Sequence, residues 1–178
     1  MIRRNTRGGR AGAGTMGGLA AALALVLTLA AAPARADDPE LLTFGGGMFD
    51  VSDDPAVALN IEYTDDRRWL WVLQPMTGAM VTLDGALYGY AGLGVDLFFG
   101  RRLVVTPSLA AGLYLEGGGK DLGHVVEFRS SIKIGYRLDD RSRIGVDISH
   151  LSNAGLDDRN PGANQILFTY SMPLGQGR

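Results

Sequence analysis

The sequence predicts an all-β protein, an eight-stranded antiparallel transmembrane β-barrel of the outer-membrane type, and three observations carry that prediction. Apolar and polar residues alternate with period two over most of the chain, the mark of strands whose two faces meet different surroundings. Several of these stretches approach or exceed the roughly 9–11 residues that a tilted strand needs to cross a bilayer. The first 36 residues read as an export signal, which supplies the route out of the cytoplasm.

In that leader Arg3, Arg4, Arg7 and Arg10 precede an unbroken apolar run over residues 19–32. At about 14 residues the run is shorter than the roughly 20 that a spanning helix requires. Ala34-Arg35-Ala36 then fits the small-x-small pattern of a cleavage site. Residues 1–36 are therefore expected to be a cleaved signal peptide, and residues 37–178 a single β-barrel domain. Five of the 17 basic residues lie in the leader and none of the 19 acidic ones does, so the remainder is acidic by about seven charges. That balance argues against nucleic acid as a partner, because its binders carry a basic stripe. Zero cysteines exclude disulfides, thiolate metal sites and a cysteine nucleophile together.

The strands follow in order. Weak alternation marks residues 41–49, 57–63 and 69–76. Residues 85–99 place Leu87, Ala91, Leu93, Val95, Leu97 and Phe99 on one face, with Tyr88, Tyr90, Gly92, Gly94 and Asp96 opposite. Residues 103–115 repeat this through Val105, Leu109, Ala111 and Leu113. Between 127 and 138 the faces are Phe128, Ser130, Ile132, Ile134, Tyr136 against Glu127, Arg129, Ser131, Lys133, Gly135. In 143–152 Ile144, Val146 and Ile148 share a face, and 165–172 completes the set. Glycines interrupt every stretch in which a helix could be drawn. Trp69, Trp71, Tyr88, Tyr90 and Tyr114 lie toward strand ends and are expected in interfacial girdles. A soluble lipocalin-like carrier would show the same alternation with its apolar faces turned inward. The loop Gly117-Gly118-Gly119-Lys120 lacks the Ser or Thr of a phosphate-cradling loop and reads as a hairpin turn.

The chemistry concentrates at His150-Leu151-Ser152-Asn153. Residues two apart on a strand point the same way, so His150 and Ser152 continue the apolar row of Ile144, Val146 and Ile148. In a barrel that row faces lipid, where a bare imidazole and hydroxyl are costly. Serine becomes a nucleophile when a neighbouring imidazole accepts its proton, and a third group holds that imidazole in place. An isolated His-x-Ser pair is also what an interfacial strand end carries, so the weight falls on the whole segment, His150 to Leu156, followed by Asn160-Pro161-Gly162 and a last strand.

That segment resembles the signature of the lipid A 3-O-deacylase (PagL) family of eight-stranded outer-membrane barrels. Trp71 with Gln74-Pro75, the run Tyr88 to Leu93, Thr106-Pro107-Ser108, Leu122-Gly123 and Glu127-Phe128-Arg129 stand in the order such a member shows. The resemblance implies that Ser152 attacks the ester at the 3-position of lipid A, that His150 is its base, and that Asn153, Ala154 and Gly155 lie at the oxyanion hole, with Asn153 as the side-chain donor. It implies lipopolysaccharide as substrate and the cell outer membrane as location, and it leaves self-association into a homodimer open; two distant histidines do not supply a metal site, so no cofactor is expected. Where the family's catalytic glutamate is expected this chain has Asn164, and Asp157 and Asp158 in the preceding loop are the other candidates for orienting His150. His124 reads as a loop or strand-edge residue. The competing reading is a catalytically silent small barrel with a structural or adhesive role.

Overall fold

A computed structural model describes residues 39–175; the leader lies outside them. Nine strands follow in chain order: β1 Glu40–Phe49, β2 Ala56–Thr64, β3 Gln74–Thr82, β4 Leu87–Gly94, β5 Leu97–Phe99, β6 Leu103–Leu115, β7 Val126–Arg137, β8 Arg143–Ser152 and β9 Ala163–Leu174. Each pairs antiparallel with the next in the chain except β4 and β5, β1 pairs with β9, and β4 reaches past β5 to pair with β6, which closes the sheet. Because β5 continues β4 along the same partner, the barrel has eight staves.

The stave expected as one strand over residues 85–99 is thus broken at Val95 and Asp96. Pro107 on β6 stands opposite the break. It has no N–H to give the ladder, so that rung keeps only the bond from Val95 N to Pro107 O, 3.0 Å. Asp96 instead turns inward, where Arg143 Nη1 donates to it at 2.8 Å. The third strand also sits elsewhere than expected, at Gln74–Thr82 rather than over 69–76. Leu70 and Trp71 have φ of 47° and 66°, so the Trp-Leu-Trp-Val run makes a turn that a single bridge, Trp69 to Leu73, closes.

Alternation sets the two faces as the sequence implies. Outward residues are large and apolar on every stave: Leu59, Leu109 and Phe168 are 55%, 70% and 73% exposed. In water such a band would cost about 25 cal/mol per Å² of apolar surface, a cost that hydrocarbon removes. The inward face is a packed mixture. Toward one end Tyr88, Tyr90, Tyr114, Phe49, Met80, Leu122 and Leu167 fill the barrel. The three tyrosines are therefore buried core residues and not girdle residues, and glycines make room for two of them: a Cβ on Gly112 would lie 2.6 Å from the Tyr88 ring and one on Gly78 2.6 Å from the Tyr90 ring. Mid-barrel, Glu62 meets Lys133 Nζ at 2.5 Å and the Tyr90 hydroxyl at 3.0 Å, while Arg129 Nη2 donates to Asp147 at 2.9 Å. Charges with such partners tolerate enclosure that single charges would not.

Both ends of the described chain lie at the rim bearing the loops 65–73, 100–102 and 138–142. The opposite rim carries the two ten-residue loops 116–125 and 153–162. Long loops on the far side from the termini are the external side of such barrels. The candidate residues sit just below that rim.

Candidate active site

Register carries residues distant in sequence onto adjoining rungs of the outer wall. Ser130 on β7, His150 on β8 and Asn164 on β9 are cross-strand partners in one row. One rung nearer the rim, Phe128 faces Ser152. Their chain neighbours Ser149, Leu151 and Gln165 are buried inward, so alternation obliges these side chains to point out. Elsewhere the outer faces of these three strands carry Ile132, Ile134, Ile144, Ile148, Ile166 and Phe168.

The imidazole is held at one nitrogen and open at the other. Nδ1 of His150 lies 2.9 Å from Oδ1 of Asn164. An amide oxygen only accepts, so the ring proton resides on Nδ1 and Nε2 keeps its lone pair, the form a general base requires. Asn164 Nδ2 in turn donates to Ser52 Oγ at 2.8 Å, and Val51 N donates to Asn164 O at 3.0 Å. The loop between β1 and β2 thereby fixes the amide. Gly162 stands beside the ring: a Cβ there would lie 2.8 Å from His150 Cε1 and 3.1 Å from Nε2. Leu151 pairs with Ala163, so Gly162 lies just past that rung at the Ser152 end of β8, and Nε2 makes no hydrogen bond with any described residue.

Loop 153–162 is built around Asn153, which is fully buried. Its Nδ2 donates to Leu122 O at 3.1 Å and Arg159 O at 2.7 Å, and its Oδ1 accepts from Gly155 N at 2.9 Å. Its own backbone N–H is taken by Asn160 Oδ1 at 3.1 Å. The Asn153 amide therefore serves as the loop's internal brace, with no hydrogen left for a substrate oxygen. Of the three residues expected at the oxyanion hole, Ala154 alone has an N–H without an acceptor among the described residues. Its φ of 54° is strained for a residue with a Cβ, and the brace at Asn153 holds it there.

A salt bridge of 2.6 Å from Arg159 to Asp121 ties this loop to 116–125. That bond and a second from Gly123 N hold the Asp121 carboxyl below its ordinary range. Asp157 bonds the backbone of Arg159, and neither it nor Asp158 meets His150, whose Nδ1 is already filled by Asn164. His124, in the 116–125 loop, accepts from Val126 N at 2.9 Å at the start of β7. Among the described residues the carboxylates that converge as metal ligands could, Glu40, Asp65 and Asp66, lie at the opposite rim.

Ser152 stands at the end of a groove of about 400 Å³ on the outer wall. Ala91, Leu93, Leu109, Ala111, Phe128 and Ser130 line it together with the serine. Its mostly apolar lining suits a hydrocarbon chain lying against the barrel. Ser52, Gly162, Asn160 and Ser130 escaped the sequence reading. Asn160 and Gly162 entered it only as context for the last strand, and Ser130 only as a member of an alternating face.

Against known proteins, residues 57–173 match the family model described as lipid A 3-O-deacylase (PagL). The chain is 31% identical over 74 residues to the lipid A deacylase PagL of Bordetella bronchiseptica, covering 40% of this chain and 42% of that protein. It is 30% identical over 84 residues to the lipid A deacylase PagL of Pseudomonas aeruginosa, covering 47% and 40%. The matched stretches thus span less than half the length of either relative. Among solved structures, the outer membrane enzyme PagL superposes with a TM-score of 0.62 at 17% identity, over 75% of this chain and 99% of that one. A designed transmembrane β-barrel superposes with a TM-score of 0.58 at 9% identity, over 78% and 97%. These two likenesses concern the fold.

Proposed function

The chain belongs to the lipid A 3-O-deacylase family, and from that premise we propose that it is an outer-membrane serine esterase that removes the ester-linked 3-hydroxyacyl chain from the 3-position of lipid A. The observation that carries this reading is the bond between Asn164 and the Nδ1 of His150, which leaves Nε2 unbonded on the outward strand face that His150 shares with Ser152. Residues 1–36 are read as its export signal, removed to leave residues 37–178 as the barrel.

Ser152 Oγ attacks the ester carbonyl carbon as its proton passes to Nε2 of His150. The negative oxygen of the tetrahedral intermediate takes the free N–H of Ala154, a donor aimed where charge develops. The carbon–oxygen bond to the sugar then breaks, and the imidazolium returns its proton to the departing 3-oxygen, leaving a free hydroxyl on the glucosamine. Water attacks the acyl-enzyme with His150 again as base, releasing a 3-hydroxy fatty acid and restoring Ser152. The leaving acyl chain lies along the groove over Ala111 and Ala91, so the substrate reacts without quitting the membrane.

The test is mass spectrometry of lipid A from a Gram-negative host producing the protein or its Ser152→Ala variant at matched outer-membrane levels. Loss of one 3-hydroxyacyl chain with the unaltered protein alone is the expected result. Unchanged lipid A with both, from folded barrels, would defeat the reading.

A further inference from the structure

Apart from tyrosines, the outer faces of β7, β8 and β9 carry four polar side chains beside the groove, and the reaction above employs three of them: His150, Ser152 and Asn164. The fourth is Ser130. It is exposed on the wall, and its hydroxyl makes no hydrogen bond with any described residue. The neighbouring Ser131 points inward and is paired, 2.8 Å from Ser108 Oγ. A lone hydroxyl facing hydrocarbon is costly, whereas the alanine or isoleucine found elsewhere on this wall is not. Ser130 therefore needs a partner that comes with the ligand.

Its position says which atom that partner is. Ser130 lies directly across from His150, diagonal to Ser152, and lines the same groove. Diagonal neighbours on one sheet face are about 7 Å apart. A carbonyl carbon poised for attack sits about 3 Å from the nucleophile. A hydroxyl on the third carbon of the acyl chain lies about 3 Å further along, by two carbon–carbon bonds and one carbon–oxygen bond. A hydrogen bond of about 2.8 Å then closes the span to Ser130. Any chain lacking that hydroxyl leaves Ser130 buried under hydrocarbon without a partner, and this asymmetry is what lets a polar site reject an unsubstituted analogue.

We propose that Ser130 is a specificity-determining residue that binds the 3-hydroxyl of the acyl chain to be released, so that the enzyme selects 3-hydroxyacyl esters over plain acyl esters. This rests on the esterase reading above. The test uses the whole barrel in detergent micelles and two synthetic glucosamine lipids that differ only in the hydroxyl at the third carbon of the 3-O-acyl chain. With the unaltered protein kcat/KM favours the hydroxylated lipid by about tenfold, the worth of one hydrogen bond plus the desolvation it offsets. Ser130→Ala brings the ratio to about one, and Ser130→Thr, which keeps the hydroxyl, restores it. A ratio near one for the unaltered protein would overturn the proposal. So would a Ser130→Ala variant in which both rates fall together and the ratio stands, since that would mean Ser130 serves His150 and not the substrate. Failure of the unaltered protein to cleave either lipid would overturn the esterase reading, and this proposal with it.

Discussion

The amide at position 164 can be exchanged for the acid with almost no change of shape, and Asn164→Asp is predicted to make the protein a faster esterase. In a serine protease the reverse exchange lowers turnover about 10⁴-fold, largely because the amide leaves the imidazole in the wrong tautomer. That part of the loss is absent here, since Oδ1 already accepts from Nδ1 at 2.9 Å and Ser52 occupies the other end of the amide. What Asn164 lacks is charge to stabilise the imidazolium. A hydrogen bond with one ionised partner is worth about 1.5–3 kcal/mol against about 0.5–1.5 for a neutral one. Charges at contact under an effective dielectric near 20 set an upper bound of about 4 kcal/mol, which the exposed position reduces. A net gain of about 1–1.5 kcal/mol corresponds to roughly tenfold in kcat. The assay is release of 3-hydroxy fatty acid from purified lipid A in micelles, read by mass spectrometry across pH. Turnover should rise about tenfold. Asn164→Ala, which frees the ring altogether, should lose about 100-fold. Equal or lower turnover in a folded Asn164→Asp barrel would refute the reasoning.

Gly162→Ala puts a methyl 2.8 Å from His150 Cε1 at a φ of 62°, and the displaced ring should cost about 100-fold in turnover with KM little changed; steady-state kinetics beside a thermal melt checks this. Asn153→Ala removes three side-chain hydrogen bonds at once, so the 153–162 loop should be cut faster by added protease while the barrel itself stays folded, a result an oxyanion donor alone would not give. The Asp121 carboxyl is held below its usual range by Arg159 and by Gly123 N, so this pin is in place above the unfolded value of about 3.9 and is lost only as pH falls through the lower folded value. Amide exchange in residues 153–160 should therefore be insensitive to Asp121 titration between neutral pH and about 5, and Asp121→Asn should raise it at neutral pH.

How much of this was legible in the sequence depends on which face of a strand is asked about. Outward faces need apolar residues of any shape, and period two displays them directly: the row of Phe128, Ile132, Ile134 and Tyr136 stands where the alternation places it. Inward faces are fitted one to another, and composition does not reveal the fit. Tyr88, Tyr90 and Tyr114 looked interfacial because tyrosine is common there, yet all three are buried, Tyr88 and Tyr90 against the glycines Gly112 and Gly78 and Tyr114 against the Tyr88 ring. The 69–76 stretch looked like a strand because tryptophan and valine favour one. The true third strand, with Gln, Thr, Gly, Ala and Met, draws its place from pairing on both sides. For the site, local spacing brought His150 and Ser152 together, and the family resemblance supplied Asn164. Ser52 was invisible because a hydrogen bond 112 residues long in sequence depends on how a loop is laid over a neighbouring strand.

The interior explains why the chemistry stands on the outside. A barrel of eight staves has room inside for its own side chains and little else. Here that room is taken by the tyrosines toward one end and by Glu62, Lys133, Arg129 and Asp147 across the middle, each charge with its opposite in reach. A lipid chain could enter only by separating those pairs, at the cost of leaving charges unpaired. The wall imposes no such cost, because an acyl chain on Ala91 and Ala111 exchanges one hydrocarbon neighbour for another. Binding energy from the chain is then small, and discrimination has to come from polar groups at the reacting end. Those are the row of Asn164, His150 and Ser130 and the serine one rung above them. A wall substitution that leaves this row intact, such as Ile148→Val, should alter activity little, whereas a single change within the row should alter rate or selectivity by an order of magnitude.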